Sequence, residues 1–508
     1  MNLRLIRCAF TVALVLTLRA GAEVSLPKLF SSHMVLQRDM PIHIWGSAAA
    51  GEKITVELHG LTASASTDDV GRWSVYLPSQ SAGGPFTLVI RGTNTIQFDD
   101  ILIGDLWFAS GQSNMEMPLV GFPNSAVIQD SAKEIAAANY PDIRLLLIER
   151  DAADYPLEDV KSATGWSSCT PETAKNFSAV AYFFARDLQK ALGKQRVPIG
   201  LIDSTWGGTP AEAWTSLDAL GADAALMPIF AARAERMDHE ATEMRLDQAD
   251  KLARDQGKPP TPGRQWHPNP ASWRPAALYN AMVAPFTPLP IRGVIWYQGE
   301  SNSSHANLYD RIFPTMIQDW RTQWHQGNFP FLFVQISAFA STPKEDWGTL
   351  RDAQRKSLYL ANTGMAVTID IGDEHNVHPA NKQAVGERLS LLARQLVFKE
   401  NIVSSGPLFR LAYPSGGAIH IWFDNAAGLR SKGGSLQGFE VAGHDGVFVS
   451  ASAHIEGETV TVESPSVVHP EYIRYAWPNF PQANLYNGAG LPASTFTSFP
   501  VSIAALVK

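Results

Sequence analysis

The chain has 508 residues and carries 41 Lys and Arg against 49 Asp and Glu, a net charge of −8. Single hydrophobic cores stop growing at about 250–300 residues, so two or three domains are expected. With 45% hydrophobic and 18% charged residues the chain is not of the disordered class. Its acidic balance, with no run of Lys and Arg, excludes nucleic acid and an anionic membrane as main partners.

Residues 1–22 read as an export signal. Arg4 and Arg7 precede the short apolar stretch Cys8 to Leu18, and Ala20-Gly21-Ala22 fits a cleavage site after Ala22. The stretch is too short to cross a bilayer, and no later segment reaches about 18 uninterrupted apolar residues. The expected product is periplasmic or secreted. It keeps only Cys169, so no internal disulfide can form.

Residues 23–99 read as a small β-sandwich. Ile42–Trp45, Ile54–Leu58, Trp73–Leu77 and Phe86–Ile90 alternate with a period of two, and glycines separate them. Residues 100–400 change texture. The apolar runs Leu106–Ala109, Pro198–Asp203, Gly293–Tyr297, Phe331–Ile336 and Ala366–Ile371 suit strands buried on both faces of a parallel sheet. Phe177, Val180, Ala181, Phe184, Leu188 and Leu192 keep helical spacing, with Gly193 as the stop. Val385, Leu389, Leu392 and Leu396 do the same, with Pro379 expected to begin that helix. Strands alternating with helices imply an α/β sheet. Residues 222–270 interrupt the order as an insertion, either a helical flap or a solvated surface helix. Residues 401–508 return to β, through His420–Phe423, Val447–Ser450, Thr459–Val462 and Tyr472–Trp477.

Four strand ends carry polar residues to one rim. Gly111 permits a tight turn after the first, and Ser113 follows at the carboxyl edge, where α/β sheets place ligands. A serine there is a nucleophile if a base reaches it. A second strand ends in Trp206-Gly207-Gly208-Thr209, whose backbone N–H groups can approach an oxyanion. A third ends in Gln298-Gly299-Glu300-Ser301-Asn302. A fourth brings Asp370, Asp373, Glu374, His375 and His378. The set suits acyl transfer, with His378 as base and His375 as a surface residue. A glycosidase pairing Glu300 with Asp203 or Asp373 is a rival reading. A non-catalytic glycan-binding protein, suggested by the β regions and 14 Trp, is another.

Taken in order, Gly111-Gln112-Ser113-Asn114, Trp206–Thr209, Gln298–Asn302 and Val377-His378-Pro379 with Lys382 resemble the sequence blocks of the SGNH hydrolase superfamily. The likeness is to its sialate O-acetylesterase type and extends over about residues 25–500. It implies a three-layer α/β/α core flanked by N- and C-terminal β domains, and no metal or organic cofactor. It also implies a carbohydrate O-acetylesterase working through a serine acetyl-enzyme. The substrate would be an acetylated sugar or glycan, either a sialate ester or a plant polysaccharide such as xylan or xyloglucan. Ser113 N–H, Gly208 N–H and the Gln298 side chain would hold the oxyanion. Many relatives have Asp three residues before the catalytic His, where this chain has His375. Asp373 is the first candidate to orient His378 and Glu300 the second; the third arrangement is a Ser–His dyad oriented by a backbone carbonyl.

Overall fold

The computed structural model describes residues 23–123, 127–193, 196–262 and 269–500. The expected leader, residues 1–22, lies outside them. The core is a mixed sheet in the order Thr363–Val367, Phe331–Gln335, Gly293–Tyr297, Thr95–Gly111, Ile199–Thr205, Tyr140–Leu147, Ser167–Cys169. All neighbours are parallel except the last pair. From its central strand the chain builds outward in both directions. The carboxyl end of Thr95–Gly111 is therefore the topological switch point.

That central strand has two textures. Its first residues alternate between exposed and half-buried, while Ile101 to Gly111 are buried without a break. In pairing the division falls after Gly104: the first stretch, up to Gly104, pairs with Gly83–Arg91 and Val35–Gln37 of the N-terminal β region. The second pairs with Ile199–Thr205 and Gly293–Tyr297. The expected division at 99/100 thus falls inside one continuous strand. At this junction the Asp105 carboxylate is fully buried. Arg38 holds it at 2.8 Å and Arg292 at 2.7 Å, so neither charge is left uncompensated.

Trp107 and Phe108 are neighbours on the strand and so point to opposite faces. Trp107 meets Phe184 of helix Ala179–Leu192 edge-on at 5.0 Å. Phe108 meets Trp320 and Trp324 of helix Tyr309–Trp324 at 5.7 and 5.6 Å. Helices therefore cover both faces of the sheet. Helix Lys382–Leu396 packs on Ala179–Leu192 through Gly386, where a Cβ would lie 2.6 Å from Phe184 N. Ser178 caps the first helix through Ala181 N–H, and Gly193 ends it as the spacing predicts.

Three sequence expectations need correction. Ala366–Ile371 is not one strand: the strand is Thr363–Val367, and Ile369–Ile371 is a 3-10 turn. Helix Lys382–Leu396 is capped by Asn381, three residues after its expected start at Pro379. The strand Tyr140–Leu147 has no period-two signal, because Arg144 is buried in it against Asp100. The 222–270 insertion contains one 29-residue helix, Met227–Asp255, in which only Ile229 and Asp250 are buried. Beyond residue 400 the chain forms small antiparallel sheets. Buried Arg351 of helix Trp347–Lys356 ties them to the core by donating to the carbonyls of Ala476 and Pro478. No helix among the described residues is long and apolar enough to cross a membrane.

The core is tightly packed at Gly111. This residue has a φ of +137°, and a Cβ there would sit 2.2 Å from Tyr297 O. Gly111→Ala is expected to cost about 3 kcal/mol or more, through backbone strain and forced separation of two core strands. Thermal unfolding measures this, and an unchanged Tm contradicts it.

Candidate active site

Ser113 opens a four-residue helix directly after the Gly111 turn. As the first helical residue its N–H has no intrahelical acceptor and faces outward from the helix start. The turn is pinned on both sides: Gln112 N–H donates to Tyr297 O at 3.0 Å, and Trp206 N–H donates to Gly111 O at 3.1 Å. The Gln112 side-chain oxygen accepts from Ser301 N–H at 3.3 Å, which adds the Glu300 turn to the assembly. The glycine pair lies against the serine. A Cβ on Gly207 would be 3.1 Å from Ser113 Cβ. Gly207 N–H donates to Glu116 Oε2 at 2.7 Å, and Gly208 O accepts from Trp273 Nε1 at 2.6 Å. Gly208 N–H has no acceptor among the described residues.

His378 Nε2 lies 2.9 Å from Ser113 Oγ, although 265 residues separate the two in the chain. The His378 loop is anchored from several sides. Its own N–H donates to Asn376 Oδ1 at 2.8 Å, Asn114 Nδ2 donates to Val377 O at 3.0 Å, and the Phe122 ring meets the imidazole edge-on at 5.4 Å. Behind the pair, Asn114 joins two buried charges. Its amide nitrogen donates to Glu300 Oε1, and its oxygen accepts from Lys382 Nζ. Burial pushes Glu300 up from its ordinary range and Lys382 down to about 7. Burial, helped by the Lys382 charge, pushes His378 down to about 4. The imidazole is therefore neutral at ordinary pH, the form that can take a proton from serine.

The structure corrects three of the expected roles. Asp373 is exposed, and its Oδ1 accepts from His375 N–H and Asn376 N–H. It caps its own loop and does not reach His378. Glu300 bonds Asn114 instead of the imidazole. Among the described residues no carboxylate and no backbone carbonyl hydrogen-bonds His378 Nδ1, so the ring is held by packing and by its backbone. Gln298 is fully buried, and its amide nitrogen already donates to Thr209 O at 3.1 Å and Asn302 Oδ1 at 2.7 Å. Both of its hydrogens are engaged, so it has none for an oxyanion. Its oxygen accepts from Tyr309 at 2.8 Å. Gln298 is a packing hub beneath the rim. His375 is exposed, as expected.

Sequence reasoning gave no role to Asn114, Lys382 or Gln112. Their signal was adjacency: Asn114 and Gln112 flank Ser113, and Lys382 follows His378 by four residues. The rival carboxylates are each engaged locally: buried Asp203 by Ser178 N–H and Thr205 Oγ1, Glu300 by Asn114, and Asp373 by its own loop. Among the described residues no group of three or more His, Cys, Asp or Glu could hold a metal ion.

Two recesses adjoin residues around the serine, the first through Glu116 and Phe122 and the second through Ser301 and Asn302. One, of about 700 Å³, is lined by Phe122, Glu116, Glu149, Asp203 and a single cation, Arg150, which is paired with Glu116. The other, of about 220 Å³, lies under the inserted helix, with Arg236, His305, Glu212 and Trp273 in its wall. The insertion thus walls one side of the site while most of its helix stays exposed.

Comparison with known proteins places the chain in a family. Residues 261–395, which include the Glu300 turn and His378, match the model of a family described as carbohydrate esterase, sialic acid-specific acetylesterase. The human sialate O-acetylesterase is 30% identical, over 94% of this chain and 93% of its own length. The rat enzyme is also 30% identical, over 94% and 95%. The chain belongs to the sialate O-acetylesterase family. The crystal structure of a carbohydrate acetylesterase from Xanthomonas citri superposes with a TM-score of 0.81 at 35% identity, covering 94% of this chain and all of that one. Family membership makes the chain an acetylesterase, a carboxylic ester hydrolase, and removes the glycosidase and non-catalytic readings.

With His378 as the base, its depressed value would set the acid limit of such an enzyme. The acid limb of kcat/KM on an aryl acetate is expected near pH 4, below the ordinary histidine value of about 6.5. Lys382→Met removes a neighbouring positive charge and should move that limb upward. A wild-type limb at about 6.5 would contradict the assignment.

Proposed function

We propose that Ser113 is the nucleophile and His378 the general base of acetyl transfer from a sugar hydroxyl to water. The reading includes an SGNH-type α/β/α core with flanking β domains. The observation that carries it is the 2.9 Å approach of His378 Nε2 to Ser113 Oγ at the switch point of the sheet. Ser113 Oγ attacks the acetyl carbonyl as its proton passes to His378 Nε2. The Ser113 and Gly208 N–H groups donate to the oxyanion. His378 then returns the proton to the departing sugar oxygen, leaving an acetyl-serine. Water repeats the cycle in reverse and releases acetate. With no carboxylate on His378, the catalytic unit is a Ser–His dyad. The buried Glu300 carboxylate, one amide away, offsets the Lys382 charge that otherwise opposes the imidazolium.

The substrate is an acetylated sugar. The acidic recess beside Phe122 favours a neutral one, such as an acetylated plant oligosaccharide. Arg236 and His305 under the inserted helix favour a second reading, an anionic sugar such as an acetylated sialic acid. Acetate release from the two substrates, compared by kcat/KM, decides between them. Ser113→Ala is expected to abolish release from both and to lose labelling by a fluorophosphonate probe. Undiminished labelling in that variant would assign the nucleophile elsewhere.

Export belongs to the same proposal. Arg4, Arg7, the apolar run to Leu18 and Ala20-Gly21-Ala22 support cleavage after Ala22. N-terminal sequencing of the exported protein is expected to begin at Glu23, and a mature chain beginning at Met1 would overturn it.

A further inference from the structure

A third recess, of about 800 Å³, lies away from the catalytic rim. One wall is the outer face of the two-stranded ribbon Ile42–Ser47 and Arg72–Leu77; the other is built from Leu157–Asp159 and Ala284–Pro288 of the core. Pro288 precedes the strand Gly293–Tyr297, whose opposite end delivers Glu300 to the catalytic rim. Five residues at about 3.3 Å each put most of a strand length between the two places. The recess shares no lining residue with the active site.

The outer face of an antiparallel ribbon is ordinarily polar. This one carries a file of rings. Tyr76 stacks on His43 at 4.2 Å with 4° between planes, and His43 stacks on Trp45 at 4.8 Å with 26°. Tyr76 is 62% exposed and Trp45 half-buried, so the file is open to solvent. One buried polar atom on this face lacks a partner, His43 Nε2. His43 Nδ1 lies 2.9 Å from Pro288 O and so carries the ring proton, while burial holds the imidazole below its ordinary range and neutral. Nε2 is then a bare acceptor. A hydroxyl group both donates and accepts. Charge narrows the ligand further. Asp68, Glu158 and Asp159 line the recess against one cation, Arg72, already paired with Glu158. An anionic ligand is disfavoured there, and the hydroxyls of Ser47 and Ser74 are out of place for a lipid chain.

Aromatic rings at the rim, Trp45 in the recess and Tyr76 beside it, with an acceptor for a hydroxyl between them, suit the apolar C–H face and polar edge of a pyranose. We infer that this recess is a second, non-catalytic binding site for a neutral polysaccharide chain. The inference does not rest on the catalytic assignment, because binding without turnover reports on it directly.

The test is calorimetric titration of full-length Ser113→Ala protein with xylohexaose, cellohexaose and mannohexaose, with sialyllactose as the anionic probe. At least one neutral hexasaccharide should bind and sialyllactose should not. Trp45→Ala and, separately, Ser74→Arg should weaken binding about tenfold or more, as loss of an anchoring ring or obstruction of its pocket does. Ser74 is exposed opposite Trp45, so Ser74→Arg blocks the recess without removing packing and stands alone if Trp45→Ala fails to fold. In the wild-type background both changes should leave kcat/KM on an aryl acetate unaltered. No binding by any neutral probe, binding that survives Ser74→Arg, or preference for sialyllactose would overturn the inference.

Discussion

The site depends on how closely two backbones pass at Gly111. With no side chain and a φ of +137°, Gly111 lets the central strand turn beneath Tyr297 O, and the hydrogen bonds from Gln112 and Trp206 lock the turn on both flanks. Everything that follows is placed by that lock. Ser113 begins its helix there, Gly207 abuts it, and the Glu300 turn is tied in through Gln112. The proposed nucleophile, Ser113, is held by sheet backbone, the preorganisation that acyl transfer needs.

The electrostatics are arranged around one amide. Asn114 separates Glu300 from Lys382 while binding both, so two buried charges of opposite sign balance without contact. The same side chain donates to Val377 O and fixes the loop that presents His378. Positioning and charge compensation are thus joined in a single residue beside the nucleophile. A histidine held by packing, with no carboxylate on Nδ1, is a weak base that stays neutral in acid.

What the sequence made legible was whatever local chemistry dictates. A glycine after an apolar strand marked the turn before Ser113, and helical spacing ended by Gly193 marked a helix the structure contains. His378 followed from its place after a strand, although the helix beyond it begins at an Asn381 cap and not at Pro379. The roles of Gln298 and Asp373 were not legible, because their partners decide them. Gln298 ends a strand as a rim residue would, but Thr209, Asn302 and Tyr309 converge on it from elsewhere and draw it inward. Asp373 is near His378 in sequence, yet the free N–H groups two and three residues ahead capture its carboxylate first. The Tyr140–Leu147 strand was hidden because a buried Arg144–Asp100 pair breaks its pattern with charge.

The strand Thr95–Gly111 belongs to two sheets at once, and Asp105 clamps Arg38 and Arg292 where they meet. An accessory module on a flexible linker samples many orientations, and its benefit to an enzyme is an averaged local concentration. Here the N-terminal β region has no linker on that side. Whatever rests on the Tyr76–His43–Trp45 file is held at one distance and one angle from Ser113. The molecule acts as a ruler rather than a tether, so only acetyl groups at a matching spacing along a bound chain would fall within reach of the serine.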